Sequence, residues 1–432
     1  MTIFNYNNLT KLHSKKNFIL MNTVQNYLNL FENQDKNIFK ALSQLIENLT
    51  SINKSWEFWV NKGTPFLFAY ITNLIFYEEN KIEESSFVDL FFLFLDSYFF
   101  YLKPFKVNLH LQNSETICLP KLTNLLKINK GELTIEKNEY QDFLVNGNTP
   151  IFEKITFAPD NNIRYLNGAE NSYQKLFSLV NSEYLNPLNK NLIDIKNYLP
   201  VLQAALALIA KGDDKLHEAL MHLIKFYVPL ESVENYSASF SLRPYVGVVF
   251  LSFNTDIFAI AENIIREYGN NLLNIYIACG DLVKNNNTKH YSPYSISLST
   301  PLQLLMNMYN FSLVTEFFEN CLMNPSFNQE HDLIKYRLTV QQNRLSLAFM
   351  QARKMEWTQE GSSLIESLRH RFLHTVQSNK LNIANTPDII FQHLAHWKEK
   401  YPEYLQDTVS LPIAGNLVIM ESEICEEINI YK

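Results

Sequence analysis

The sequence predicts an α+β fold that is predominantly helical. Two observations predict the helices: apolar residues recur at intervals of three and four over residues 21–105, and again along most of the chain after Tyr173. A third observation predicts a β-rich segment, where Val107, Leu109 and Leu111 alternate with polar residues. Hydrophobic side chains make up 47% of the 432 residues, which is enough to form a large core and excludes a wholly disordered chain.

We expect five parts along the chain. The first, residues 1–20, is a flexible polar segment without periodicity, so Met21 is an alternative start to Met1. The other four are a helical region (21–105), the β-rich segment (106–170), a helical domain (171–380) and a C-terminal extension (381–432).

Local signals place the individual elements. In the β-rich segment we expect a hairpin that turns at Lys130-Gly131 and a strand over residues 152–157. A helix is expected to begin at Leu199-Pro200, because Pro favours the first turn of a helix. The remaining predictions are a helix at 215–227, a buried strand at 247–252, helices at 256–274 and 301–318, and two long helices within 328–376.

Composition excludes several classes of partner. The net charge is −7, so the chain is a poor candidate for binding the phosphate backbone of nucleic acids. The most apolar stretch, residues 87–102, contains Asp89 and Asp96 and is shorter than the ~20 residues that span a bilayer, so we expect a buried helix. No signal-peptide pattern begins the sequence and the four cysteines form no CxxC motif, so we expect a cytoplasmic protein without a membrane span.

The short motifs of common enzyme classes are missing. Neither a Gly-rich phosphate loop nor GxSxG occurs in the sequence. His217 and His222 would point about 140° apart on a helix, so they predict a polar face rather than a metal site. Cys279 and Cys321 are nucleophiles by residue type, but buried cysteines usually serve as small apolar residues.

A later predicted helix carries a candidate metal site. Glu366, His370 and His374 are spaced four residues apart and share one helix face, so the two histidines could bind a divalent metal. Arg369 and Arg371 flank them, which opposes cation binding. We therefore expect a basic surface patch there and no bound metal.

An ordered set of short segments indicates a family. Residues 115–375 resemble the HEXXH-motif peptide-modification proteins found in bacterial gene clusters for ribosomal-peptide natural products. Some members of that family are peptide β-hydroxylases that depend on iron and 2-oxoglutarate. The segments that carry the resemblance are LPKL (119–122), VPL (228–230), SAS (237–239), GVVFLS (247–252), AENIIREYGNNLLN (261–274), YSPY (291–294), PL (301–302) and MYNF (308–311).

The metal motif of that family is absent from this sequence. In the family the helix after the Gly-Val-Val-type strand is similar to ALVHEFQHxKLN, and its two histidines lie on one helix face and bind one metal. The alignment places Arg266 and Asn270 at those histidines and Glu267 at the glutamate. Arg266 offers no lone pair, and the amide oxygen of Asn270 is a poor ligand for iron or zinc.

Two further features of the family are missing. The predicted helix 301–318 contains no His, and its only carboxylate is Glu316. Family members often carry an Arg in the preceding loop, whereas Ser295 follows Tyr294 here. The resemblance therefore implies a retained scaffold without its metal chemistry. The site residues that it implies are Glu267 at the catalytic position and Arg266, Asn270, Asn274, Arg243 and Tyr294 as binding residues.

These residues lead to one expected function and two alternatives. We expect a metal-free homologue without a cofactor, which binds a peptide or a partner protein and acts as an accessory factor in peptide modification. One alternative is an active Fe(II)- and 2-oxoglutarate-dependent peptide hydroxylase that uses Glu267 and recruits ligands such as His290 or Glu316. The other is an interaction scaffold unrelated to peptide modification. The oligomeric state stays open.

Arg266 itself has two interpretations. A cation at a former metal position is suited to binding a carboxylate of a peptide. It is also suited to a structural ion pair with Glu267 or another acid, because a buried Arg without a partner costs several kcal/mol. The ion pair is the interpretation that the sequence favours.

Overall fold

The computed structural model describes most of residues 195–401, together with earlier short strands and a few helical positions. The undescribed residues between 195 and 401 are 225, 231–238, 244, 253–255, 279, 296 and 379–387. The described residues fall into two compact units. One contains Ala205–Leu220 and the described residues from Ala261 onward, and the other contains those of 6–204 and Met221–Ile260.

The second unit contains two small sheets. The first has the order β1-β3-β2 and is antiparallel throughout. Antiparallel pairing of Asn129 with Glu132 confirms the predicted hairpin, while Lys130-Gly131 itself lies outside the described residues. The strands are β1 (Asn108–His110), β2 (Ile128–Asn129) and β3 (Glu132–Thr134).

The second sheet is mixed and has the order β4-β5-β6-β8-β7. Its central pairs, β5 with β6 and β6 with β8, are parallel, while both edge pairs are antiparallel. All five residues of β8 are buried, which confirms the predicted buried strand. The strands are β4 (Ile155–Phe157), β5 (Arg164–Leu166), β6 (Phe226–Leu230), β7 (Ser239–Phe240) and β8 (Val248–Ser252).

Seven described helices of eight residues or more follow in chain order. They are α1 (Ile195–Gly212), α2 (Asp214–Leu223), α3 (Ile257–Ile277), α4 (Pro301–Met323), α5 (His331–Ala352), α6 (Gln359–Ser378) and α7 (Asp388–Lys400). A short 3-10 helix at Pro325–Phe327 connects α4 to α5. Helices thus dominate the described residues and the sheets are small, which confirms the predicted α+β class.

Helix α4 lies in the unit that contains Ala205–Leu220 and the described residues from Ala261 onward, which is called the helical unit below. Its first turn is fixed by Pro301 and by a capping box, in which Thr300 and Gln303 exchange side-chain to backbone hydrogen bonds. Fourteen of its 23 residues are buried, so it is covered on most sides, and it packs against α5 and α6. The helix is therefore a rigid support for side chains that face its neighbours.

Two predicted helix boundaries are wrong. Helix α1 begins at Ile195, so Pro200 lies inside it, although an interior Pro costs about 3 kcal/mol. Helix α2 ends at Leu223, because residues 226–230 form β6 and pair along the whole of β8. The aromatic and β-branched residues Phe226, Tyr227 and Val228 favour a strand there.

The remaining predicted helices of the second half are confirmed. Helices α3 and α4 match the predictions at 256–274 and 301–318 and extend three and five residues further. The two helices expected within 328–376 are α5 and α6. Among the described residues, no helix combines the length and apolar character needed to cross a membrane. The predicted N-terminal helical region lies almost wholly outside the described residues.

Candidate functional site

A row of buried polar residues on α3 marks the candidate site. Asn263, Glu267, Asn271 and Asn274 are between 0% and 6% exposed, on a helix whose other buried residues are largely apolar. A buried carboxylate or amide is costly unless it is hydrogen-bonded. The partners of these side chains therefore define the site.

Glu267, Asn270 and Asn310 form a hydrogen-bonded chain between α3 and α4. The Asn270 side-chain amide donates to Glu267 Oε2 at 2.8 Å, and the Asn310 amide donates to Asn270 Oδ1 at 2.6 Å. Gly269 makes this approach possible, because a Cβ at that position would collide with Asn310 Oδ1. The amide of Asn271 also donates to the backbone carbonyl of Glu267 at 2.8 Å.

Arg266 faces an aromatic group on the same side of α3. Its Nη1 donates to Asn263 Oδ1 at 3.3 Å, and its guanidinium carbon lies over the Phe311 ring, 4.8 Å from the centroid. Phe311 in turn stacks on Tyr294, with ring centroids 4.4 Å apart and 5° between the planes. Arg266 makes no salt bridge within the described part of the chain, so the favoured ion pair with Glu267 or another acid is wrong.

The acid that feels the charge of Arg266 is Glu262, one helical turn earlier. Glu262 forms its direct salt bridge with Arg337 of α5, at 2.7 Å. Burial raises the pKa of Glu262, and the nearby positive charges of Arg337, Arg266 and Arg344 offset that effect only in part.

Arg344 of α5 is the third arginine near Glu262. Among the described residues it makes no hydrogen bond or salt bridge, and its Nε is buried. Its guanidinium carbon lies 6.0 Å from the Phe311 centroid. Burial lowers the pKa of Arg344, while the proximity of Tyr294 and Glu262 opposes that shift.

Two tyrosine hydroxyls complete the cluster. Those of Tyr291 and Tyr294 are buried and have no hydrogen-bond partner within the described part of the chain. Burial raises the pKa of both tyrosines well above the ordinary value, so the hydroxyls stay protonated and can donate hydrogen bonds. The side-chain group of Arg266, Arg344, Tyr291, Tyr294 and Phe311 is called the Arg–Tyr cluster below.

The residues at the expected metal position fit Fe(II) poorly. Arg266 is a cation, Asn270 Oδ1 already accepts a hydrogen bond, and Glu267 accepts one from Asn270. Both candidates for recruited ligands are engaged elsewhere: Glu316 is salt-bridged to Arg371 at 2.5 Å, and His290 Nε2 lies 2.8 Å from Thr288 Oγ1.

The other predicted residues lie outside both the hydrogen-bonded chain of Glu267, Asn270 and Asn310 and the Arg–Tyr cluster. Asn274 is buried further along α3 and is 4% exposed, while Arg243 is exposed and belongs to the second unit. Glu366, His370 and His374 are exposed on α6. No three His, Cys, Asp or Glu side chains in the described ranges form a group that could hold a metal ion.

Sequence reasoning missed Asn310, Arg337 and Arg344. The latter two lie in an ordinary helical pattern on α5, and their meeting with α3 depends on tertiary packing. One signal was available: Glu262 and Arg266 are four residues apart, a spacing that places opposite charges on one helix face.

Comparison of the sequence with protein-family models gave no match, and comparison with curated proteins gave none either.

Proposed function

We propose that this protein is a metal-free, divergent relative of the HEXXH-type peptide-modifying proteins. In this proposal it binds a peptide or a partner protein in the cytoplasm and acts as an accessory factor in the modification of ribosomal peptides. The proposal joins the sequence resemblance to the chemistry of the side chains around α3.

One observation carries the proposal: the hydrogen-bonded chain of Glu267, Asn270 and Asn310. The resemblance assigns Glu267 and Asn270 to the motif glutamate and the second motif histidine, and it expects a third metal ligand on the helix that contains Asn310. The Asn310 amide donates a hydrogen bond to Asn270 at 2.6 Å, and the Asn270 amide donates one to the Glu267 carboxylate at 2.8 Å. Such a network stabilises the contact between α3 and α4 without a metal.

The Arg–Tyr cluster supports a role in binding. Its arginine Nε groups and tyrosine hydroxyls are hydrogen-bond donors that the described residues leave without acceptors. Buried donors of this kind are usually satisfied in proteins, so an acceptor from a ligand is a natural partner. Acid–base chemistry gains no support there, because the elevated pKa values hold the tyrosines in their neutral form.

The first test is metal content. Protein purified without a His tag is reloaded anaerobically with Fe(II) and measured by inductively coupled plasma mass spectrometry. We expect near-zero occupancy, both in the natural chain and in Glu267→Gln. Stoichiometric iron that Glu267→Gln abolishes, and that Glu360→Gln at an exposed position of α6 retains, would instead identify an active metalloenzyme.

The second test is ligand binding. Products of neighbouring genes are screened by pull-down, and a captured precursor peptide is titrated calorimetrically with and without EDTA. We expect binding that EDTA leaves unchanged, and no gain of an oxygen atom in the peptide by mass spectrometry. Binding that requires Fe(II), or oxygen incorporation with 2-oxoglutarate, would overturn the proposal.

A further inference from the structure

Two arginines of the helical unit lack a counter-ion among the described residues. Arg266 makes one hydrogen bond to an uncharged amide, and Arg344 makes none. Both side chains are partly buried, and the Nε atom of each is fully shielded from solvent. Because partly buried cations without partners are destabilising, an anion bound beside both side chains would stabilise them.

Nearby acids do not supply that anion. Arg266, Arg337 and Arg344 bring three positive charges into electrostatic range of one carboxylate, Glu262. Glu262 is bonded directly to Arg337 at 2.7 Å, so that pair is neutral overall. Neither Arg266 nor Arg344 forms a direct salt bridge with a described acid, and the buried Glu267 accepts a hydrogen bond from Asn270.

Arg266, Arg344 and Tyr294 lie beside the same aromatic ring, that of Phe311. Arg266 and Arg344 lie 4.8 and 6.0 Å from the Phe311 centroid, and Tyr294 stacks on that ring. Tyr291 and Tyr294 are near enough to Arg344 to affect its pKa. Their hydroxyls are buried and unpartnered in the described part of the chain.

We propose that Arg266 and Arg344 together bind a carboxylate of the ligand peptide, with the hydroxyls of Tyr291 and Tyr294 as additional donors. The identity of the ligand as a peptide rests on the proposed function above. The carboxylate is either the C-terminus of the peptide or an Asp or Glu side chain, since both present the same group.

Geometry favours a carboxylate as the anion. The Nε–H and one Nη–H of a guanidinium form a planar edge that matches the two oxygens of a carboxylate. In both arginines the buried Nε has no acceptor among the described residues, so a carboxylate that enters beside it would satisfy that donor. The aromatic rings beside it offer an apolar surface to the rest of the ligand.

The test compares charged probes with neutral counterparts. Saturation-transfer NMR measures binding of hippurate, which mimics a peptide C-terminus, and of N-acetylglutamate N-methylamide, which mimics an acidic side chain. Hippuramide, N-acetylglutamine N-methylamide and inorganic phosphate are the comparison probes. We expect at least one carboxylate probe to bind, and its amide counterpart to bind roughly tenfold more weakly or not at all.

Variants assign the binding to the two arginines. Arg344→Gln and Arg266→Gln should each lower the affinity for the carboxylate probe by roughly tenfold or more. Lys335→Gln is the matched control, because it removes the same charge from an exposed position of α5 and should leave binding unchanged. Carboxylate binding that survives both arginine substitutions would overturn the assignment, as would tighter binding of phosphate.

Chemical protection tests the natural chain, so it does not depend on the folding of a variant. Phenylglyoxal modifies accessible arginines, and peptide mass spectrometry reports the modification of each one. The bound carboxylate probe should slow modification of Arg266 and Arg344 and leave exposed Arg353 unaffected. Equal rates with and without the probe would contradict the proposal.

The two proposals fail in different ways. Carboxylate probes that bind through Arg344, without any peptide captured in the pull-down, would leave the anion site intact and remove the proposed function. A captured peptide that binds equally well to Arg344→Gln and Arg266→Gln would retain the proposed function and remove the carboxylate site.

Discussion

The side-chain amide of Asn310 on α4 donates to the side-chain oxygen of Asn270 on α3 across 2.6 Å, and this contact links residues 40 positions apart. Asn310 is 1% exposed, so water cannot easily replace it as a donor. The bond joins the two helices at the point where the resemblance expects metal ligands.

Removing that donor should destabilise the fold. Asn310→Ala leaves the Asn270 oxygen without its donor and creates a small cavity beside Gly269, so we expect a loss of about 2 kcal/mol in the free energy of unfolding. Urea denaturation monitored by circular dichroism measures the change. A double-mutant cycle with Asn270→Ala is the control, and additive effects would contradict a direct interaction.

Restoring histidines should restore metal affinity if the resemblance is correct. Arg266 and Asn270 are one turn apart on α3 and both face α4, so Arg266→His combined with Asn270→His places two imidazoles on one helix face. We expect the double variant to bind Co(II), detected by its visible absorption, while the natural chain does not. Each single variant is a control, and identical titrations of all four proteins would count against the alignment.

Close packing at Gly361 of α6 gives a third prediction. A Cβ there would collide with the backbone carbonyl of Leu282, which also accepts a hydrogen bond from the Thr358 amide at 3.2 Å. Gly361→Ala should therefore destabilise the protein by about 1–3 kcal/mol, because backbone atoms must move. Ser362→Ala, at the exposed neighbouring position, is expected to change the melting temperature little.

A fourth prediction concerns the dependence of stability on pH. Burial lowers the pKa of His393 from 6.5, helped by the nearby charges of Arg344 and His396, although a hydrogen bond with the Ser292 carbonyl opposes the shift. The unfolded chain then binds this proton more readily than the folded chain. Its contribution to stability is fully present above about pH 6.5 and declines as the pH falls towards the lower folded value.

Denaturation at about pH 7 and about pH 5 tests that dependence. His393→Gln should reduce the difference in unfolding free energy between the two conditions, since it removes the titrating imidazole. His374→Gln, at an exposed position of α6, should leave the difference unchanged. An unaltered difference in His393→Gln would show that other groups cause the pH dependence.

Local sequence patterns predicted most helices of the second half, and contacts between residues distant in the chain explain the wrong end of helix α2. Pro301 and Thr300 fix the start of α4 through their own chemistry, so this boundary was visible in the sequence. Residues 226–227 continue a helical pattern locally, but pairing with β8 places them in a strand. Partners of this kind are distant in the chain, and single-sequence periodicity does not report them.

The candidate site was predictable only along α3. The spacing of Arg266, Glu267 and Asn270 shows which side chains share a face of one helix. It does not show that Arg344 approaches from α5, or that Phe311 rather than an acid covers Arg266. The expected ion pair of Arg266 was wrong for this reason: Arg266 packs against Phe311 of α4 and does not form a salt bridge with the neighbouring Glu267.

The burial of α4 on most of its sides has a consequence for the dynamics of the helical unit. Neighbouring elements cover most of its surface, and the Thr300 capping box holds its first turn closed. Hydrogen exchange along the middle of α4 then requires its neighbours to separate, so its slowest amides report cooperative opening of the whole unit. Helix α7, where only Ile390 and Trp397 are buried, can exchange by local opening long before that event.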